Sequence, residues 1–399
     1  MSMTEAASIN VNSQTNKGPK RLKLFSLSLA HGLNDWYSNY MQTLLPFLVA
    51  AGFSISKSAV LISAFTISSS ILQPFFAYLV DKKNKRWMVY AGTIWMGTLL
   101  SLIGLIENYA LMFLTVTLAG FGTAAFHPQA SAMVTAISGN KKGLYQSIFV
   151  TAGNIGLAFT PLIIVPFVKK FGLKTTPLFI IPALLVGLLL WITSPKMEVK
   201  KTPVDHSTMK SLKENWKSLA KIVITVSMRS LAFFGLISFL PLYLKGKDIS
   251  ITVSSHLLFI MLFSGAIGGL IGGHLSDKIG RKPVIAYSLM LATPFFCGFL
   301  LTGGILSTLF LALAGMALLA SFSVTVVSAQ EILTKSQAMA SGLMLGFGIG
   351  IGGLGVSLIG LLAEHTGLNY AVYLLVILPF IGGSFYALKA KKDIKPAAI

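Results

Sequence analysis

Cysteine is almost absent from this chain, and charged residues are scarce. The 399 residues include one cysteine, Cys297, so no disulfide can form within the chain. Charged residues make up 11% of the sequence, whereas a water-soluble domain has about 25%. Hydrophobic residues make up 54%. The composition therefore predicts a chain that lies mostly in lipid and leaves no room for a separate water-soluble domain.

Motifs of catalysis and of nucleotide or metal binding are missing as well. The sequence contains no Walker loop, no HExxH and no CxxC, and the glycines at 346–355 lie inside an apolar run rather than after a predicted strand. We therefore predict that the protein is not an enzyme, binds no cofactor or metal, and does not hydrolyse ATP. The net charge of +20 is spread over many loops, which argues against nucleic acid as a partner.

Long apolar runs follow one another along almost the whole chain. Because a membrane-spanning helix needs about 20 apolar residues, the runs predict an all-α membrane protein with twelve transmembrane helices. Lys and Arg are concentrated in alternate loops and both tails, which predicts that both termini are cytoplasmic. The predicted boundaries are a tail at 1–23, a six-helix bundle at 24–194, a linker at 195–219, a second bundle at 220–388 and a tail at 389–399.

A basic junction between helices occurs twice, half a chain apart. One copy includes Asp81-Lys-Lys-Asn-Lys-Arg86, and the other reads Gly273-His-Leu-Ser-Asp277-Lys-Ile-Gly-Arg281. The repetition indicates a duplicated bundle, as in transporters that move substrates by rocking two repeats. We predict that these residues form a cytoplasmic gate. In it the carboxylates contact helix N-termini and loop cations, and Gly273 allows close contact with the facing helix.

The first span carries a polar stripe on an otherwise apolar helix. The stripe residues are spaced by three and four, so they share one helix face. They are His31, Asn34, Asp35, Ser38 and Gln42. His31 and Asp35, one turn apart, either take part in proton coupling and substrate contact or form a structural hydrogen-bonded pair. Asn34, Tyr37 and Gln42 are candidates for substrate binding.

Three further spans contain ionisable residues, which are costly in lipid and usually functional. His127 precedes Pro128, which frees a backbone carbonyl, and is a candidate for proton coupling and substrate binding. Arg229 binds an anionic substrate such as a carboxylate or phosphonate, pairs with Glu331 or Asp35, or extends its cation to the membrane interface. Glu331 is either a proton-exchange residue or a gate residue bonded to loop cations.

Asn154 in the fifth span is a further candidate for substrate binding. It lies beside Gly153 and Gly156, and glycines are also concentrated at 342–360 in the eleventh span. Small residues allow both close helix packing and bending. The sequence leaves both roles open for these two matching spans.

The chain resembles the major facilitator superfamily through its two copies of the basic junction. It resembles more closely the fosmidomycin-resistance family of efflux proteins, through motifs spread over both halves. These include His31 to Asp35, Phe126-His127-Pro128, Ala152-Gly-Asn154 and Ala329-Gln-Glu331. One difference is that Gln129 and Ala132 replace an acid and an arginine that the family typically carries.

The resemblance implies a secondary transporter with the major facilitator fold, working as a monomer in the bacterial cytoplasmic membrane. Proton-coupled antiport that exports a small, anionic or drug-like molecule is the expected activity. The alternative is proton symport that imports a siderophore or an anionic nutrient. The expected partners are the substrate, protons and membrane lipid.

Overall fold

The fold is all-helical over the part of the chain that the structure describes. The computed structural model describes residues 20–73, 75, 76, 79, 85–139, 142–195, 207–333, 340 and 342–388. Ten helices in these ranges are long and apolar enough to cross a membrane, and Ile55–Ile71 is a shorter apolar helix. The first predicted span, at 24–50, is divided between two helices. The predicted all-α membrane fold is confirmed.

The first seven α-helices of the described residues lie between residues 20 and 193. They are α1 Lys20–Ser38, α2 Tyr40–Ala50, α3 Ile55–Ile71, α4 Trp87–Ser101, α5 Tyr109–Ile137, α6 Lys142–Phe171 and α7 Ile180–Thr193. The later helices are α8 Ser207–Lys245, α9 Ile251–Ile279, α10 Arg281–Leu301, α11 Gly304–Ala320, α12 Phe322–Ile332, α13 Ile349–Thr366 and α14 Leu368–Ala387. A π-helical segment, Gly342–Gly348, precedes α13.

Local sequence signals explain where several helices begin and how α5 continues. Ser54 caps α3 by accepting a hydrogen bond from the Lys57 N–H, and Asn108 caps α5 by accepting one from the Leu111 N–H. Pro128 lies inside α5 without ending it. The helix therefore carries His127 in its interior, beside the backbone position where the proline donates no hydrogen bond.

The described helices form two compact units. Among the described residues, the first comprises those within 20–195, 237–259 and 353–368, and the second comprises those within 207–236, 260–352 and 369–388. Each unit is thus assembled from separate stretches of sequence. The bundle boundaries predicted at 24–194 and 220–388 stay a prediction.

Small residues of α3 and α13 make one seam within the first unit. Ser63 Oγ donates to the Gly353 carbonyl at 2.7 Å and accepts from the Ser357 N–H at 3.1 Å. At the same seam, the Ser56 N–H at the start of α3 donates to Glu364 Oε2 at 3.1 Å. A carboxylate at a helix N-terminus satisfies a backbone donor that has no partner within the helix.

Two contacts join α6 to α9 in the same unit. The rings of Phe159 and Phe259 meet edge to face with their centroids 5.1 Å apart. Lys169 Nζ donates to Thr252 Oγ1 at 3.0 Å. These contacts and the α3–α13 seam explain why segments from late in the chain belong to the first unit.

Helices α1 and α6 approach until their backbones touch. A Cβ atom on Gly32 would lie 2.9 Å from the Ala152 carbonyl oxygen, and a Cβ atom on Gly156 would overlap the Gly32 carbonyl. Close contact of this kind is a common use of small residues between membrane helices. It brings the start of α6 against the polar stripe of α1.

We expect Gly156→Ala to destabilise the protein by roughly 1–3 kcal/mol, as other overpacking substitutions do, because the new methyl group must push α1 and α6 apart. The matched control is Gly269→Ala in α9, where a Cβ atom would meet Leu319 O at an ordinary 3.6 Å. The unfolding temperature in detergent measures both. Equal stability of the two variants would contradict the close backbone contact.

Candidate functional site

One carboxylate and two imidazoles meet inside the first unit. His31 and Asp35 lie one turn apart on α1, and their Nε2 and Oδ2 atoms are 3.5 Å apart. His127 on α5 places its Nε2 atom 3.5 Å from the other oxygen, Asp35 Oδ1. We call these three residues the His–Asp–His cluster. The structure thus brings together three of the predicted proton-coupling candidates.

A backbone carbonyl fixes the proton position on His31. Its Nδ1 atom lies 2.6 Å from the Phe149 carbonyl oxygen on α6. Because a carbonyl only accepts hydrogen bonds, Nδ1 carries the proton in this contact. In the neutral ring, Nε2 then directs its lone pair at the Asp35 carboxylate. Two acceptors that face each other at this distance attract only when a proton or another cation lies between them.

Aromatic rings and a glycine shape the surroundings of the cluster. The His31 ring stacks on Phe149 with 4.0 Å between centroids and 14° between planes, and His127 meets His31 edge-on at 5.1 Å. A Cβ atom on Gly153 of α6 would overlap Asp35 Oδ2 and lie 2.7 Å from His31 Cε1. Gly153 therefore leaves the space that the carboxylate occupies.

The cluster is largely shielded from solvent. The side chains of His31 and Asp35 are 9% and 19% exposed, and that of His127 is 22% exposed. An imidazole–carboxylate set of this kind is also a metal-ligand set, because one donor atom from each residue lies within 4.8 Å of the others. The cluster can thus bind a cation, whether a proton or a metal ion.

The other predicted residues of α1 and α2 differ in how their polar atoms are used. Asn34 Nδ2 donates to Ala30 O and to Thr93 Oγ1 on α4, at 2.8 and 2.9 Å. The Tyr37 hydroxyl donates to the Phe179 carbonyl. Both side chains hold neighbouring helices together. Gln42 is 2% exposed, and its Oε1 atom has no donor in the described part of the chain.

Asn154, the candidate on α6, follows Gly153 directly and is half-buried. Asn154 lies on α6, the helix whose Phe149 carbonyl accepts the hydrogen bond from His31. Its part in substrate binding remains a prediction.

Arg229 is buried in the second unit without a carboxylate partner there among the described residues. The residue is 3% exposed, and its Nη1 atom is 3.4 Å from Thr325 Oγ1, a long hydrogen bond. The guanidinium lies over the Phe322 ring at 4.7 Å, which favours the cation through its π face. The alternative that Arg229 pairs with Glu331 is not seen.

Glu331 pairs with the second basic junction. Its Oε1 atom lies 3.1 Å from Nη2 of Arg281, and Arg281 also contacts the Asp277 carboxylate and Ser276 Oγ. This network joins the end of α9, the start of α10 and the end of α12. Glu331 thus contacts a cation of the junction, and its part in a gate stays a prediction.

One other gate candidate, Gly273, has different surroundings from those expected. A Cβ atom on Gly273 would meet Ser323 Oγ at an ordinary 3.5 Å, whereas a Cβ atom on Gly272 would overlap the Ala320 carbonyl. The close helix contact therefore occurs one residue earlier than predicted. Asp81 of the first junction lies outside the described residues.

Arg86, the remaining gate candidate, ties α4 to the end of α7. Its Nε atom donates to Ser194 Oγ at 2.7 Å, and its Nη2 atom donates to the Trp191 carbonyl. A cation at a helix C-terminus satisfies carbonyls that have no partner within the helix.

An apolar groove of about 770 Å³ runs along α8 in the second unit. Leu212, Trp216, Val223 and Leu231 contribute to its walls, and Ser227 is a polar residue among them. Arg229 does not line this groove. The apolar space and the buried cation of the second unit are therefore separate features.

The sequence carries no signal for the role of the Phe149 carbonyl, because every residue has a backbone carbonyl. Gly153 did have a signal, since it belongs to the small residues of the fifth span. The sequence showed that His127 lies in the membrane, but not that it meets Asp35.

Comparison with known sequences identifies related transporters. The profile described as Major Facilitator Superfamily matches residues 24–345 and 247–398. The Fosmidomycin resistance protein of Escherichia coli K12 is 32% identical over 373 residues, which cover 90% of each chain. The uncharacterized MFS-type transporter YfnC of Bacillus subtilis is 29% identical and covers 93% of this chain and 94% of its own.

Solved structures share the fold at low sequence identity. A bacterial homolog of the human lysosomal transporter Spinster, in an inward-facing and unoccupied conformation, aligns with a TM-score of 0.75 and 19% identity. It covers 93% of this chain and 96% of its own. The nucleoside transporter NupG aligns with a TM-score of 0.76 and 17% identity, covering 92% and 98%.

We expect Arg229→Met to stabilise the protein by roughly 1–3 kcal/mol, because a buried cation without a carboxylate partner is unfavourable and Met has a similar shape. The unfolding temperature in detergent should rise. The control is Arg281→Met at the more exposed network, where we expect no gain and a loss below about 1 kcal/mol. A lower unfolding temperature for Arg229→Met would show that Arg229 has a stabilising partner.

Proposed function

The chain belongs to the major facilitator superfamily, and on this premise we propose that it is a proton-coupled antiporter that exports a small anionic or drug-like molecule. The chain is a transporter and not an enzyme, and it is a multi-pass protein of the bacterial cytoplasmic membrane. The observation that carries the proposal is the His–Asp–His cluster, a shielded carboxylate between two imidazoles.

Proton coupling is supported by the arrangement of donors and acceptors in the cluster. The Phe149 carbonyl holds the proton of His31 on Nδ1, so the lone pair of Nε2 and the carboxylate of Asp35 face each other. A proton bound between them converts repulsion into a charge-assisted hydrogen bond. Its departure leaves two acceptors opposed on one turn of α1, and movement of the His31 ring away from Asp35 would disturb its hydrogen bond to the Phe149 carbonyl of α6. The cluster thus links proton occupancy to helix packing.

An anionic substrate is supported by Arg229. A buried guanidinium that lacks a carboxylate offers two parallel N–H groups to a carboxylate, phosphonate or phosphate. Binding of such an anion would provide the charge compensation that the second unit itself does not supply among its described residues. The guanidinium is held over Phe322, so it is positioned before the anion arrives.

Export is supported by the relatives. One is named a fosmidomycin resistance protein, and another, at 26% identity over 58% of this chain, is named the multidrug resistance protein MdtG of Escherichia coli. Resistance of this kind is consistent with removal of a toxic compound from the cell. We propose that the protein works as a monomer surrounded by lipid.

We expect Asp35→Asn to abolish substrate-driven proton movement, because Asn cannot take up and release a proton. Inside-out vesicles with an imposed proton gradient, a fluorescent pH dye and fosmidomycin as the probe would show proton efflux for the native chain. The matched control is Asp248→Asn, since Asp248 lies in a turn with φ of 61°, a conformation that Asn also adopts.

Proton efflux by Asp35→Asn at the native rate would contradict coupling at this carboxylate. Uptake of fosmidomycin that continues after the gradient is collapsed would contradict proton coupling as a whole. No fosmidomycin uptake by folded native protein, alongside uptake of a tested siderophore into right-side-out vesicles, would instead favour import.

A further inference from the structure

We infer that His31, Asp35 and His127 also form an exchangeable site for a divalent transition-metal ion of the Zn²⁺ class. The inference goes beyond the proposed function, because binding of the ion requires the geometry of the cluster and not transport. The ion would lie inside the first unit, between α1 and α5.

The donor types favour this class of ion over the hard cations. Two imidazole nitrogens and one carboxylate oxygen suit Zn²⁺, Co²⁺ and Ni²⁺, whereas Mg²⁺ and Ca²⁺ prefer sets made of oxygen atoms. Each of the three residues provides one donor atom, and the three atoms lie within 4.8 Å of one another. These three residues therefore supply three ligands to one ion, and no other residue of the chain is needed for them.

The spacing of the donors fits a tetrahedral ion with small side-chain rotations. Ligands at about 2.0–2.1 Å from a tetrahedral ion stand roughly 3.3 Å apart. His31 Nε2 lies 3.5 Å from Asp35 Oδ2 and His127 Nε2 lies 3.5 Å from Asp35 Oδ1, so the carboxylate must turn to present one oxygen to an ion that both imidazoles bind. The rings of His31 and His127 already meet edge-on, with 5.1 Å between their centroids. When both rings turn toward the carboxylate, their two nitrogen atoms reach the spacing that the ion requires.

The partner of the other nitrogen of His31 is the kind that orients metal ligands. A metal-bound histidine usually donates its second ring N–H to a carbonyl or carboxylate, which directs the free lone pair at the ion. His31 Nδ1 donates in this way to the Phe149 carbonyl at 2.6 Å, and the stacked Phe149 ring fixes the plane of the imidazole. This contact lies outside the ligand set, so it is a second and independent sign of a site.

Three protein ligands leave one position of a tetrahedral ion open. Sites of this type exchange ligands, in contrast to closed structural sites with four protein ligands. An ion of charge +2 also compensates the negative charge of the Asp35 carboxylate. Bound metal would join α1 to α5 and, through the Phe149 carbonyl, hold α6. On the proposed function, it would then compete with the coupling proton and inhibit transport.

The test is a titration of the purified full-length chain, carrying a tag without histidine, with Co²⁺. We expect visible absorption bands of tetrahedral Co²⁺ that saturate at one ion per chain and disappear when Zn²⁺ is added. Asp35→Asn and His127→Asn should each weaken Co²⁺ binding at least ~10-fold, since loss even of outer-shell partners has effects of this size.

The matched control is His256→Asn. Like His31, His256 places its Nδ1 within hydrogen-bonding distance of a carbonyl, that of Thr252 at 2.7 Å, but it belongs to no ligand set in the described residues. Its substitution should leave the Co²⁺ bands and the affinity unchanged. Equal affinity of the native chain, Asp35→Asn and His127→Asn would overturn the inference, as would loss of the bands in His256→Asn.

A variant that keeps all three ligands guards against misfolding as the cause of lost binding. Gly153→Ala places a methyl group against Asp35 Oδ2, while Ala is a better helix former than Gly. We expect weaker Co²⁺ binding by a chain that still elutes as a single species. Absence of any Co²⁺ bands in folded native protein would overturn the inference, whether or not transport is observed. Transport without Co²⁺ binding leaves the proposed function intact, and Co²⁺ binding without transport leaves the site intact.

Discussion

The backbone contact between α1 and α6 is the constraint on which the candidate site depends. Gly32 and Gly156 let the two helices touch, and no larger residue fits at Gly156 without moving one of them. The contact places the Phe149 carbonyl next to His31 and places Gly153, which has no side chain, next to the Asp35 carboxylate. The orientation of the His31 ring, and through it the environment of Asp35, therefore follows from packing between small residues rather than from the ionisable groups themselves.

Two sets of ionisable residues in the described chain differ in how strongly solvent weakens their interactions. At the exposed end of the second unit, Arg281 compensates Asp277 and Glu331, and solvent makes such pairs individually weak. In the interior, Asp35 has two imidazoles and Arg229 has an aromatic ring and a hydroxyl. A buried cation such as Arg229, for which the described residues of its unit supply no carboxylate, favours the binding of an anion.

The sequence predicted the class of fold and named the three residues of the His–Asp–His cluster, but not the contacts that bring them together. Spacing along one helix was sufficient to pair His31 with Asp35, because helical geometry fixes residues four apart. The meeting of Asp35 with His127 depends on how α1 and α5 pack, and the partner of Glu331 depends on α10. The spacing of residues within one helix predicts neither of these contacts, because each joins different helices. For the same reason, the close contact predicted at Gly273 occurs at Gly272.

Gln129 and Ala132 bring no charge to α5 near His127, and this gives Asp35 a special position in the described part of the first unit. Gln129 is fully buried in α5, two residues after His127, and brings no charge there. The other acids in the described part of this unit lie elsewhere: Glu107 precedes α5 and is paired with Lys174, Asp248 lies in a turn, and Glu364 contacts the start of α3. Asp35 is therefore the acid that lies within the packed helices of that part. Any cation that enters them has one carboxylate to bind, and the two imidazoles beside it determine which cations bind best.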